Sequence, residues 1–397
     1  MQRARSARRA PAELIQPLWI AARIASAGLI AGIALSWKLW RPGSRLYPRA
    51  PLFSPGDPPP ALEWAALALL LASLALTALG RPALPRTLWP AFPAAAALVA
   101  LDQSRLQPWV WEYGLVLAAS SVAIRGRAAR QEPVLGACRS IVAGLYFWSG
   151  VQKMNAAFVS RAWPELLGAG ATRSGPGRVV AQLGWVVPVV EVSLALALLV
   201  PRLRRAAVAG VVAMHACVLL VLVATGENSV VWPWNVAMAA LTITLFRDAS
   251  SASGHEPEAR GLAARPPLAA AVTLLVWLLP GLSLVGLWDA YLSAALYAGN
   301  TIQAVLVVPA EAVDGLPALV RRNTWQGQPP SFIDLNRWSY DELNVPAYPA
   351  ERVMRTVAGR ACREFLRPGV GSLVVLGRPD WKTGARERAS YACADLP

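Results

Sequence analysis

The sequence predicts an all-α, polytopic membrane protein of about nine transmembrane helices, closed by a small C-terminal α+β domain outside the membrane. Composition is the first observation: the 397 residues are 55% hydrophobic and only 15% charged, with mean hydropathy +0.41. A soluble domain carries more charge than that. Apolar runs of spanning length, the second, recur from residue 17 onward, and a bilayer core about 30 Å thick calls for roughly 20 such residues per helix. Third, the pattern changes after Trp288 to charged residues, Pro-rich connections and short alternating runs.

The spans fall at residues 17–40, 61–80, 88–101, 109–124, 134–154, 177–200, 206–225, 229–246 and 267–287. The third is short and interrupted by Pro90 and Pro93, which predicts a tilted, kinked or incomplete crossing. The chain therefore divides into a basic N-terminus (1–16), a helical core (17–304) and a C-terminal domain (305–397). The N-terminus begins basic, but the helix after it outruns a signal peptide, so it reads as a retained first span. With nine spans, the N-terminus and the connections 81–86, 125–130, 202–205 and 247–265 are basic and share one side, which the positive-inside rule makes cytoplasmic. A multi-pass protein of a bacterial-type inner membrane follows, with its C-terminal domain extracytoplasmic. The connection 41–60, with Arg41, Arg45 and Arg49, runs against the rule, and the sequence offers no reason.

The net charge of +15 does not indicate a nucleic-acid binder, because the arginines sit in short clusters between apolar runs and no nucleic-acid-binding motif accompanies them. The four cysteines, Cys138, Cys217, Cys362 and Cys393, have neither metal-type nor redox-type spacing. There is no HExxH, P-loop, dinucleotide fingerprint or serine elbow, so soluble-enzyme chemistry has no support. In the C-terminal part, 289–301 reads as interfacial, with Tyr291 and Tyr297 as belt aromatics. Residues 350–365 form an amphipathic helix with Val353, Met354, Val357, Ala361, Cys362 and Phe365 on its apolar side. In an extracytoplasmic domain Cys362 and Cys393 are free to form a disulfide, and the sequence leaves open whether they do.

Polar residues inside the greasy segments are the candidates for function. Lys153 closes an apolar helix and shares a stripe with Tyr146, seven residues earlier. It is either a snorkelling side chain or a partly desolvated amine able to act as a base. Glu191 and His215 lie mid-span in neighbouring segments joined by a short turn, which predicts similar depth and a Glu–His pair, serving as a structural tie or as a proton-transfer site. Asn228 and Asn235, seven apart, are placed on one face, with Pro233 opening the helix between them. They serve as interhelical glue or, with Trp232, Trp234, Phe147 and Trp148, line a site for a planar, lipid-soluble ligand such as a quinone. The helix count puts Lys153, the Asp102 loop and the 227–229 turn on one membrane face.

At these residues the chain resembles the vitamin K-dependent gamma-carboxylase family and its bacterial HTTM relatives. The family's Tyr-Phe-Ile-Ala-Gly-(Val/Leu)-Lys-Lys-Leu-Asp segment is similar to Tyr146-Phe147-Trp148-Ser149-Gly150-Val151-Gln152-Lys153-Met154-Asn155. Its catalytic lysine falls on Lys153, and the lysine before it on Gln152. A second segment aligns through Asp102, Ser104, Tyr113 and Gly114, with Trp109 in place of a family histidine. Glu191 falls on a family aspartate, and His215 with the 232–234 turn is similar to a further motif. The resemblance implies a quinol-dependent carboxylase or oxygenase of the lyase class, with a reduced isoprenoid quinone of the vitamin K type, O2 and CO2. Lys153, kept neutral in a dry pocket, is then the base, with Tyr146, Asn228 and Asn235 as donors to the quinol anion. The competing reading is a non-catalytic, DoxX-like membrane subunit that supports a partner oxidoreductase, with a membrane or periplasmic protein as its partner.

Overall fold

In lipid every backbone amide must be satisfied within its own segment, so the apolar runs fold as helices. The computed structural model describes residues 2–53, 59–80, 88–123, 131–168, 179, 182–247, 266–325, 330–366 and 370–397. Its helical core comprises α1 (Gln2–Leu35), α2 (Trp37–Trp40), α3 (Pro60–Leu79), α4 (Ala91–Leu101), α5 (Pro108–Ala123), α6 (Gln131–Lys153) and α7 (Trp163–Leu167). It continues with α8 (Val186–Leu199), α9 (Arg204–Thr225), α10 (Trp232–Phe246), α11 (Pro266–Val272) and α12 (Leu279–Leu282), the last two joined through a π-helical segment Thr273–Leu278.

Among the described residues six helices, not nine, are long and apolar enough to cross a membrane: Gln16–Leu35, Pro60–Leu79, Glu132–Lys153, Arg204–Thr225, Ser229–Phe246 and Pro267–Val285. The other three predicted spans fall short. Helix α4 has 11 residues and rises only about 16 Å. It starts after Pro90 and stops where Asp102 turns extended and caps the following turn with its own carboxylate. Leu183–Leu199 is likewise a shorter apolar helix, and α5 has 16 residues. The basic connections 81–86 and 125–130, most of 247–265, and His255 lie outside the described residues.

Helix α6 is central, packing most extensively on α8 and also on α5. Helices α9 and α10 form an antiparallel hairpin, while α1 lies against α3, α5 and α10. Arg23 ties α1 to α3, its Nε donating to the Ala78 carbonyl in the last turn of α3 at 2.8 Å. The outward faces of α9 and the last span are apolar and exposed, as at Leu220, Val223 and Leu278, which suits contact with lipid chains.

The C-terminal part holds a five-stranded sheet in the order β2-β3-β1-β4-β5, every neighbouring pair antiparallel. Its strands are β1 (Gln303–Val308), β2 (Thr324–Trp325), β3 (Ser331–Asp334), β4 (Ser372–Pro379) and β5 (Arg386–Ala392). Helices α13 (Ala310–Val313), α14 (Ala318–Arg322), α15 (Leu335–Leu343) and α16 (Glu351–Phe365) complete it. Strand β1 alternates, burying Ala304, Leu306 and Val308. Helix α16 buries Val353, Met354, Val357, Ala361 and Cys362, and a Cys362–Cys393 disulfide ties it to the turn after β5.

This domain is hydrogen-bonded to one end of the bundle. The Glu342 carboxylate accepts the Leu46 and Tyr47 amides at 2.6 and 2.8 Å and the Trp338 indole N–H at 3.0 Å. The Ala156 amide, just beyond α6, donates to the Trp381 carbonyl at 2.9 Å, and Asn344 donates to the Leu35 carbonyl at 3.0 Å. Two of the three arginines of the 41–60 connection find their reason here. Arg45 pairs with Asp102 at 2.5 Å, Arg49 with Glu63 at 2.9 Å, and buried Arg105 also reaches Glu63. Arg45 and Arg49 are internal counter-ions rather than free loop charge, so the positive-inside count does not apply to them.

Candidate functional site

The site grows from one stripe of α6. Tyr146, Ser149, Gly150 and Lys153 recur every three or four residues and share a face. Gly150 decides what that face can touch, because a Cβ there would lie 2.8 Å from the Pro188 carbonyl and 2.7 Å from Val192 Cγ2. Its absence lets the α8 backbone approach α6 closely enough for Glu191 to reach Lys153. Lys153 Nζ lies 3.0 and 2.7 Å from the two Glu191 carboxylate oxygens, 2.6 Å from Ser149 Oγ and 3.2 Å from the Ser149 carbonyl. Both charged residues are over nine-tenths buried. Through the two Glu191 contacts Lys153 ties α6 to α8.

The anticipated Glu191–His215 pair does not form. His215 turns instead to α6 and α10: Nδ1 is 2.8 Å from Asn235 Oδ1, and Nε2 is 2.8 Å from the Tyr146 hydroxyl. The Asn235 amide nitrogen donates to the Val231 carbonyl at 2.8 Å, so its oxygen faces the imidazole and Nδ1 carries the proton. For a neutral imidazole, Nε2 is then an acceptor and Tyr146 donates to it. Thr242 Oγ1 lies 3.1 Å from the same hydroxyl. Two polar ties result, Lys153–Glu191 between α6 and α8, and Tyr146–His215–Asn235 across α6, α9 and α10.

Asn228 and Asn235 do not share a helix face. Asn228 precedes α10 in left-handed backbone (φ 41°), and its amide donates to the Tyr297 hydroxyl and, at 3.4 Å, to that of Tyr340. Pro233 does not open a helix either. It sits in the first turn of α10, where no backbone N–H is needed. The Trp232 indole donates to the Glu227 carbonyl at 3.0 Å, bracing that turn. The aromatics are likewise split: Phe147 packs on Trp148 and Trp277, with centroids 5.3 and 5.5 Å apart, and among the described residues neither Trp232 nor Trp234 joins that cluster.

Asp102 belongs to a third group, under the C-terminal domain. It accepts the Ala50 and Ser104 amides at 3.2 and 3.1 Å in addition to Arg45. Burial raises its carboxyl pKa, but the Arg45 and Arg105 charges outweigh that and hold it below the ordinary carboxylate range. Nearby, burial pushes the phenols of Tyr291, Tyr297, Tyr340 and Tyr348 up, so they remain protonated hydrogen-bonding groups. Tyr348 donates to Asp289 at 2.8 Å and Tyr291 to the Ala347 carbonyl at 3.2 Å. The Lys153 end of α6, the Asp102 loop and the Asn228 turn all meet the same domain, through Trp381, Arg352 and Tyr340.

Sequence reading missed Thr242, which carries no signal inside an apolar run, and Glu63, whose partners lie in distant loops. It also passed over Glu112, a buried carboxylate early in α5 whose Oε2 has no hydrogen-bond partner among the described residues. A lone carboxylate in an apolar helix was the available signal.

Comparison with known proteins overturns the resemblance to the gamma-carboxylase and HTTM families. A family model described as methylamine utilisation protein MauE matches residues 131–231. That interval contains Lys153, Glu191, His215 and Asn228, the segments on which most of the resemblance had rested. Short stretches of small and aromatic residues recur in membrane helices, so an ungapped match of that length has little specificity. The quinol, O2 and CO2 lose the support that the resemblance lent them. No curated protein and no solved structure matches the chain. The chain is an integral, multi-pass membrane protein, about a quarter of which, from α6 to the turn before α10, is similar to the MauE family.

Proposed function

We propose that this chain is a membrane accessory subunit: a helical bundle carrying a C-terminal platform on which a partner oxidoreductase assembles. The observation that carries this reading is the buried Lys153–Glu191 pair. Its ammonium, the group best suited to chemistry at this depth, is spent joining two helices. The Tyr146–His215–Asn235 chain ties two more helices, α9 and α10, to α6 in the same way. These two ties join buried polar groups to one another, an arrangement that suits shape better than turnover. The matching family is named for methylamine utilisation, which points to an amine-oxidising enzyme as the class of partner. The Cys362–Cys393 disulfide favours an oxidising, extracytoplasmic location for the platform and a bacterial-type inner membrane for the bundle.

The test separates a tie from a base. A strain lacking the chain is complemented with wild type, Lys153→Met, or the double variant Lys153→Met/Glu191→Leu, and methylamine oxidation by the partner is measured alongside the amount of assembled protein. In the accessory role the double variant restores partner activity in proportion to the protein assembled. An assembled double variant without partner activity refutes it.

A further inference from the structure

The C-terminal platform carries a groove of about 480 Å3 between the first turns of α16 and the end of the chain, lined by Glu351, Arg352, Arg355, Asp395, Leu396 and Pro397. Arg355 is its distinctive feature. The guanidinium lies over the Tyr391 ring, 4.5 Å from the centroid, and the Tyr391 hydroxyl is held in turn by Glu351 at 2.6 Å. This contact holds the guanidinium against the ring face. Its Nε is buried without a hydrogen-bond partner, and the side chain makes no ion pair among the described residues. A stacked, unpaired arginine on a concave wall is arranged to take a phosphate oxygen pair. The N-terminus of α16 has no side-chain cap, so its first amides add positive potential on the same wall. The acidic side chains lining the groove are Glu351, whose carboxylate accepts from the Tyr391 hydroxyl, and Asp395.

The position of the groove says where such a phosphate would come from. Arg352, one turn before Arg355, donates to the Pro51 carbonyl at 2.7 Å and bonds Gln103. The Leu52 amide donates to the Ala100 carbonyl in the last turn of α4, at 2.9 Å. Arg49 of the same loop pairs with Glu63 in the first turn of the spanning helix α3. The loop beneath the groove is thereby pinned to the last turn of α4 and to the first turn of α3, a helix long and apolar enough to cross a membrane. Beside Pro51, Leu52 and Phe53 are exposed, Phe53 to 72%, giving an apolar footing for acyl chains.

We propose that this groove binds the headgroup of a membrane phospholipid, with its phosphate on Arg355 and, in phosphatidylethanolamine, its ammonium on Asp395. The site fastens the platform to the outer edge of the bundle and is independent of the accessory role. Full-length protein is purified in detergent, stripped of lipid, reloaded with phosphatidylethanolamine or phosphatidylglycerol, and examined by native mass spectrometry. Wild type retains one phosphatidylethanolamine in preference to phosphatidylglycerol, and Arg355→Gln lowers retention about tenfold, as expected for one charge-assisted contact. Arg355→Lys, which keeps the charge and the fold, falls between them. Arg388→Gln, exposed on β5, changes nothing. Equal retention by wild type and Arg355→Gln overturns the proposal, as does displacement of the lipid by inorganic phosphate, which would make the groove a site for a free anion. Equal retention of the two lipids overturns the assignment of Asp395.

Discussion

Glu191 and Lys153 meet through both carboxylate oxygens, at 3.0 and 2.7 Å, across a helix contact that only a glycine at position 150 permits. Removing one partner of a buried ion pair leaves an uncompensated charge and costs about 3–5 kcal/mol, whereas replacing both with apolar groups is often neutral. Lys153→Met and Glu191→Leu alone are therefore expected to lower thermal stability in detergent sharply. The double variant recovers most of the loss, and a thermodynamic cycle of the three Tm values checks it.

Gly150→Ala tests the contact itself. The new Cβ would press on the Pro188 carbonyl and Val192, both part of the α8 backbone or fixed to it, so α8 must move away from α6. Overpacking of this kind costs about 1–3 kcal/mol. The expected signature is loss of coupling between Lys153 and Glu191 in the same cycle, with Lys153→Met now costing less in the Gly150→Ala background.

At His215, Asn235→Ala strands the Nδ1 proton in a buried site, a loss of about 1–3 kcal/mol. Tyr146→Phe removes a donor and leaves Nε2 unpaired. Because the imidazole links the two, their combined effect is expected to be smaller than the sum, and Tm values of the singles and the double decide it.

The pH dependence follows from Asp102. Its folded-state pKa is depressed, chiefly by Arg45 and Arg105 acting against the effect of burial. A carboxylate with a depressed pKa contributes stability above its unfolded pKa of about 3.9, and loses it as pH falls through the folded value. Melting temperature should hold steady down to about pH 4 and fall below it. Asp102→Asn is less stable at neutral pH, with a flatter acid limb.

Reducing the Cys362–Cys393 bridge, which joins residues 31 apart in sequence, is expected to cost the C-terminal domain about 2–4 kcal/mol. Cys362→Ser/Cys393→Ser should show this as a lower melting temperature. Alkylation without reductant should modify neither Cys362 nor Cys393 in the native protein.

Composition and local pattern alone determined the membrane class, the apolar helices, the break near Trp288 and the amphipathic helix that became α16. Each is set by residues within a few turns of one another, which is the range over which hydropathy and periodicity act. The sequence also marked Lys153, Glu191 and His215 as out of place in lipid, since the cost of burying a polar group needs no partner to be recognised. Partners were another matter. Glu191 was assigned to His215 on the strength of a short connecting turn, yet Gly150 brought it to Lys153. Asn228 and Asn235 were placed together by spacing, yet left-handed backbone at Asn228 sent them to different neighbours. Arg45 and Arg49 read as loop charge in the sequence, yet Asp102, 57 residues on, and Glu63, in the first turn of the next helix, lie against them. Helix–helix approach is set by side chains on two separate segments at once, so only the tertiary structure could decide which buried charge answers which.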